Sequence, residues 1–234
     1  MSQYRTESVT VDDGQFNLHV WSPDNGSGPA VLLIQEIFGV GPYIMAVGER
    51  LADAGYVVGA PDVFWRFAPD WEADHSEAGL GASIEQVQKL DFPQAIGDCI
   101  AALEHLASLD GVAGRPGVMG FCLGGTLAWG IAAQDAPSCC VSYYGSGVPS
   151  MIGMIDQVSC PVIFHFGNSD SYIPNEGVET INAAIAGRDG YTLNVENAGH
   201  AFDNHESEMF FDEGAAKAAW AKTMAFLGTH LSVG

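Results

Sequence analysis

The chain has 234 residues, 47% of them hydrophobic, which suits one large α/β domain with a sizeable core and argues against disorder. Lys and Arg number 8 against 29 Asp and Glu, a net charge of −21 that argues against nucleic acid and anionic membrane surfaces as partners. No apolar run approaches the roughly 18 residues of a membrane span, and Met1-Ser2-Gln3-Tyr4-Arg5 lacks the apolar core of a secretory signal, so a cytoplasmic protein is expected.

In chain order, residues 5–21 alternate around Asp12-Asp13-Gly14 and predict a β-hairpin at the edge of a mixed sheet. After a loop, the continuous apolar run Ala30 to Gln35 predicts a central strand buried on both faces, ending in Glu36-Ile37-Phe38-Gly39. A helix is expected from Tyr43 to Ala54 and a strand from Tyr56 to Ala60. From 63 to 91 the periodicity breaks among Phe64, Trp65, Phe67 and Trp71, and the segment reads as an irregular cap-like insertion. Phe92 to Ser108 returns to helical spacing, with Pro93 in its first turn. A strand at Gly117 to Gly120 then leads into an alanine-rich helix from Leu123 to Gln134. Strands at 139–144 and 161–166, a helix at 175–186, a strand at 192–195 and a last helix at 213–230 complete the pattern. Alternating strands and helices mean an α/β fold with a mostly parallel sheet, in one domain spanning 1–234.

Gly120-Phe121-Cys122-Leu123-Gly124 has the spacing of a nucleophile elbow, with cysteine where serine is usual. In a parallel sheet the site lies outside the carboxyl ends of the strands. Asp170, four residues past Phe166, and His200, after the last strand, fall there in the order nucleophile, acid, base. A free thiol, with a pKa of about 8.5, is mostly protonated at neutral pH, so a histidine must take its proton and a carboxylate must orient that histidine. His205 competes for the base, and Asp156 and Asp203 compete for the acid. His165 reads as a core histidine, while His75 and His105 read as surface or packing residues. Glu36 ends an apolar strand and is expected in the same crevice, either capping the next turn or bonding the Cys122 thiol. The amides of Ile37 and Leu123 are the expected oxyanion hole. Cys139, Cys140 and Cys160 lie in apolar runs and read as inert buried thiols, and no C-x-x-C, metal or cofactor motif is present.

Gln35-Glu36-Ile37-Phe38-Gly39, Ala60-Pro61-Asp62, Gly120 to Gly125, Tyr143-Tyr144-Gly145 and Gly199-His200-Ala201-Phe202 together resemble the dienelactone hydrolase family along nearly the whole chain. The resemblance implies an α/β-hydrolase fold and a Cys122-His200-Asp170 triad that opens enol-lactones without a cofactor. It also implies that Glu36 holds the resting thiol until substrate displaces it, and that Tyr144 walls the pocket. Phe38, Trp65, Phe202 and Asn204 are expected to complete the pocket. The family's carboxylate clamp uses two arginines. Here Asn204 stands where one would fall, residues 77–91 hold only Lys89, and Arg66 is the nearest guanidinium. The expected substrate is therefore a neutral or activated small-molecule ester or lactone. A true dienelactone hydrolase, a promiscuous phosphotriester hydrolase and a non-catalytic binding protein are the alternatives. The sequence does not indicate the oligomeric state.

Overall fold

The computed structural model describes residues 2–231, so Met1 of the N-terminal stretch lies outside them. The hairpin forms from β1 (Gln3–Val11) and β2 (Gly14–Ser22), paired antiparallel in register around the two-residue turn. The parallel strands are β3 (Gly28–Ile34), β4 (Val57–Pro61), β5 (Val112–Phe121), β6 (Cys140–Tyr143), β7 (Val162–Gly167) and β8 (Tyr191–Glu196). They build one eight-stranded sheet in the order β1-β2-β4-β3-β5-β6-β7-β8. β5 starts earlier than its apolar core suggests, because Val112 and Ala113 already pair with Gly28 and Pro29 ahead of an irregularity between Pro29 and Val31. The central strands are buried on both faces, which is why they read as continuous apolar runs.

The helices are α1 (Pro42–Asp53), α2 (Glu77–Val87), α3 (Phe92–Ser108), α4 (Leu123–Gln134), a four-residue α5 (Val148–Met151), α6 (Asn175–Ile185) and α7 (Glu213–His230). α3 begins where Asp91 accepts a hydrogen bond from the Gln94 amide, and α7 where Asp212 accepts one from Ala215. α4 is buried from Leu123 to Ala133 and therefore has no polar face. α1 and α7 meet where the Arg50 guanidinium sits 3.7 Å over the Trp220 ring.

The insertion between β4 and α3 is not irregular throughout, since α2 occupies its second half. Its sequence EAGLGASIEQV is small and weakly amphipathic, which hides the helix from a periodicity reading. The start signal was nevertheless present: the Ser76 side chain accepts from the Gly79 amide, with Glu77 in the first turn. The first half is held by its aromatics, but away from the crevice. Trp65 stacks on Phe16 and donates Nε1–H to Asp98 at 2.9 Å. Trp65 is therefore a fastener on the β1–β2 side and not a pocket residue. Arg66 is spent in the same place, bonded to both Asp13 and Asp98.

Chain order determines where the crevice falls. From β3 the sheet grows one way to β4, and the chain then returns to lay β5 on the other side of β3. Ile34 pairs with Gly120, so Glu36 and Cys122 each lie two residues beyond a matched pair, on either side of this reversal. Among α/β sheets that reversal is where ligands bind.

Candidate active site

Cys122 follows β5 with φ 52° and ψ −110°, in the sharp turn between β5 and α4. A side chain of this kind is strained in that region, and the surroundings must enforce it. They do so through two glycines. A Cβ on Gly120 would stand 2.1 Å from the Gly124 carbonyl oxygen, and one on Gly124 would stand 2.2 Å from that of Ile34. Only glycine lets α4 start so close to the strand ends. Tyr144 (φ 37°) and Ala201 (φ 51°) carry the same unusual backbone at the ends of neighbouring segments.

His200 Nε2 lies 3.2 Å from Cys122 Sγ, and its Nδ1 lies 2.7 Å from Asp170 Oδ2. The other carboxylate oxygen of Asp170 accepts the backbone N–H groups of Tyr172 (2.8 Å) and Ile173 (3.0 Å), so Asp170 is both buried and oriented. The imidazole is packed between Tyr172 and Tyr144, with ring centroids 4.9 and 5.2 Å away. Its pKa is raised to about 10. Burial, the largest influence, opposes the charged ring, but it is outweighed by the Cys122 thiolate charge and by the hydrogen bonds to Asp170 and Cys122. The arrangement favours the charged form of the His200 ring.

The rivals lie elsewhere. His205 packs edge-on against Tyr43 and pairs with Glu206. Asp203 is buried and accepts the Tyr43 hydroxyl at 2.8 Å. Asp156 pairs with Arg188. His165 is inside β7, fully buried, with Nε2 3.0 Å from the Thr223 hydroxyl. Burial pushes the Cys139 thiol up to about 12 and Cys160 to about 11, which leaves both protonated and inert.

Glu36 enters the crevice but does not bond the thiol. Its Oε1 accepts from Asn204 Nδ2 at 2.6 Å and lies 3.1 Å from His75 Nε2. Asn204 Nδ2 is also 2.8 Å from that same His75 nitrogen, while its Oδ1 accepts from the Glu206 amide. An amide nitrogen can only donate, so Asn204 is oriented to donate to Glu36, and His75 donates to the same carboxylate oxygen in the tautomer that carries its proton on Nε2. The carboxylate is thereby held away from Cys122, whose sulfur pairs with His200 instead. Asn204 is fully buried behind Glu36 and does not face substrate space, so it is a support and not a pocket residue. The sequence reading missed His75. It sits in an aperiodic stretch and meets its partners across 39 and 129 residues, so no local spacing could reveal it.

Tyr144 and Phe202 are also supports. Both are fully buried, Phe202 meets the Tyr144 ring edge-on at 5.2 Å, and the pair forms the floor beneath His200. They fill space that the sequence reading gave to substrate. Phe38 does line the pocket, with its ring 4.2 Å from His75.

Two cavities open beside Cys122. One, of about 230 Å³, reaches from His200 and Glu36 to Phe38, Ile84 and Phe210. The other, of about 300 Å³, is lined by Leu123, Phe92, Thr126 and Ser150 among others. Ile37 and Cys122 border both. Leu123 is the first residue of α4, so its N–H has no intrahelical acceptor. No described Lys or Arg lines either cavity. A larger depression of about 580 Å³ lies at the opposite end of the sheet, between the loops that precede β3, β4 and β5, and holds neither cysteine nor histidine. Among the described residues, no cluster of three or more His, Cys, Asp or Glu could hold a metal ion, and no helix is long and apolar enough to cross a membrane.

Comparison with known proteins bears on the family and the fold. The dienelactone hydrolase family profile matches residues 16–231. A carboxymethylenebutenolidase of a Pseudomonas species is 33% identical over 233 residues, covering 98% of each chain. Another, from Cupriavidus pinatubonensis, is 32% identical and covers 94% of each. The solved structure of a putative dienelactone hydrolase from Klebsiella pneumoniae superposes with a TM-score of 0.83 at 25% identity, over 97% of this chain and 99% of that one. A dienelactone hydrolase-like promiscuous phosphotriesterase from metagenomic libraries shares the fold, with a TM-score of 0.82 at 22% identity over 99% of each chain. A profile that spans most of the residues, and relatives above 30% identity over almost the full length, lead to one conclusion: the chain belongs to the dienelactone hydrolase family.

Proposed function

We propose that this protein hydrolyses ester or lactone bonds of small uncharged substrates through Cys122, His200 and Asp170. The observation that carries the reading is the continuous relay from Asp170 Oδ2 through both imidazole nitrogens to a sulfur held at a strained elbow. The Cys122 thiolate attacks the acyl carbon, and the amides of Ile37 and Leu123 stabilise the oxyanion. The carbon–oxygen bond of the leaving group breaks and its oxygen takes the proton from His200 Nε2. Water then adds to the thioester with His200 as base, the carbon–sulfur bond breaks to release the acid, and the thiolate and the protonated His200 are restored. Asp170 holds the imidazole tautomer throughout.

Glu36 supports the preference for uncharged substrates, as it is a carboxylate in a cavity with no Lys or Arg, in a chain of net charge −21. The relatives named carboxymethylenebutenolidase favour a second reading, a lactone that bears a carboxylate. Turnover of p-nitrophenyl acetate, with an acyl adduct of matching mass on Cys122, is the expected result, and Cys122→Ala abolishes both. Unchanged turnover in that variant would sink the assignment. A higher kcat/KM for a carboxylated lactone than for its methyl ester would favour the second reading. A single domain in the cytoplasm fits one continuous sheet and five free cysteines.

A further inference from the structure

The two cavities beside Cys122 share Ile37, Val87, Cys122 and Ser146, so they are two arms that meet at the sulfur. Their linings differ. The first arm is closed by aromatic and aliphatic side chains, Phe38, Leu80, Ile84 and Phe210, and includes His200. The second runs past Leu123 along the start of α4 to Phe92, Met151 and the hydroxyls of Thr126 and Ser150, and does not include His200. A water-sized group occupies about 30 Å³, so each arm has room for roughly eight to ten heavy atoms. A small ring needs only one of them.

We propose that the substrate is an open-chain ester with a sizeable limb on each side of the scissile bond, the alcohol limb in the arm that contains His200 and the acyl limb in the arm beside Leu123. This rests on the hydrolase reading above and adds the substrate class and its direction of binding. The direction follows from proton transfer. The oxygen that leaves must accept a proton from His200 Nε2, and a general acid works only within hydrogen-bond reach. His200 borders one arm alone, so the alcohol limb departs through that arm, and its apolar rings suit an aryl or arylalkyl group. The acyl carbon remains bonded to sulfur and its chain extends the other way. In the attack, the S–C bond forms as the carbonyl π pair moves to oxygen. On collapse the C–O bond breaks, and its electron pair takes the His200 proton to give the alcohol.

Narrowing each arm in turn tests the assignment. Ser150→Trp fills the acyl arm and Ile84→Trp, on α2, fills the alcohol arm, each from an exposed position. Acyl length is read as the ratio of kcat/KM for p-nitrophenyl octanoate to p-nitrophenyl acetate. Alcohol size is read as the ratio for 2-phenylethyl butanoate to ethyl butanoate. Ratios are independent of the folded fraction. Ser150→Trp is expected to lower the acyl ratio about tenfold or more and leave the alcohol ratio within about twofold, and Ile84→Trp to do the converse. Exchanged effects overturn the direction of binding, and unchanged ratios in both variants overturn the two-arm substrate. Cys122→Ala is run beside them: hydrolysis that survives it refutes the hydrolase reading itself, whatever the ratios show.

Discussion

Two histidines, His165 and His200, are buried to nearly the same degree and arrive from neighbouring strands, yet the protein drives them in opposite directions. His165 is held down at about 3, by burial first and then by the charge of Lys222. His200 is held up at about 10 despite its burial. The difference lies in the partners. His165 finds a neutral hydroxyl on Thr223, the Tyr143 ring stacked 4.4 Å away, and no partner for Nδ1. His200 finds a carboxylate on one nitrogen and an ionisable thiol on the other. Burial alone makes a histidine inert. Burial between a carboxylate and a thiolate favours the charged ring for as long as the sulfur is unacylated.

The largest effect is expected from removing one of those anions. Cys122→Ala should lower kcat/KM by about 10⁵ or more. It should also bring His200 down from about 10, because the thiolate is the largest of the causes that raise it. An NMR titration of the imidazole reads this directly, and an unmoved His200 would mean that sulfur is not its charge partner. Asp170→Asn removes the other anion and allows the wrong tautomer, with an expected loss in kcat of about 10²–10⁴ and a smaller change in KM.

His165 sharpens the contrast through stability. Its folded pKa lies below the ordinary 6.5, so the unfolded chain binds the proton first as pH falls. The stability it contributes is present above about pH 6.5 and is lost as pH falls towards 3, at up to roughly 1.4 kcal/mol per pH unit. The raised His200 has the opposite sign: its contribution is present below its ordinary 6.5 and is lost as pH rises through about 10. Urea melts of His165→Leu should show a flatter acid limb than the parent, while its pH–rate profile stays put. An acid limb of the same slope would contradict the buried, neutral His165.

The smallest effect concerns Glu36. His75→Ala removes one of the two groups that hold its carboxylate, so Glu36 can turn towards Cys122. Alkylation of Cys122 by iodoacetamide should then slow by about threefold to tenfold, the size of one lost hydrogen bond. In a His75→Ala, Glu36→Gln double variant the rate should recover. Equal rates in parent and single variant would show that His75 does not restrain the carboxylate.

What was legible in the sequence follows the same division between local and distant causes. The elbow could be read because Gly120 and Gly124 are fixed by steric contact within a few residues. The order of Cys122, Asp170 and His200 could be read because each follows its own strand. Asn204 was placed near substrate because of where it falls after His200, but only the folded chain shows it turned inwards to Glu36. Tyr144 and Phe202 carry no local mark that separates a pocket wall from the layer beneath it. Trp65 was misplaced for a related reason, since aromatic density says that a loop is anchored but not to which side.

The burial of α4 has a consequence for how activity is lost. Every residue from Leu123 to Ala133 is enclosed, so the turn that strains Cys122 cannot open without breaking the core on which that helix rests. Its amides beyond the first turn should therefore exchange with solvent only through global unfolding, whereas those of α2, with Ser83 and Gln86 its only buried residues, should exchange through local opening at lower cost. On heating, the cap should loosen first while the nucleophile keeps its geometry, and the thiol should lose its reactivity only when the whole sheet melts.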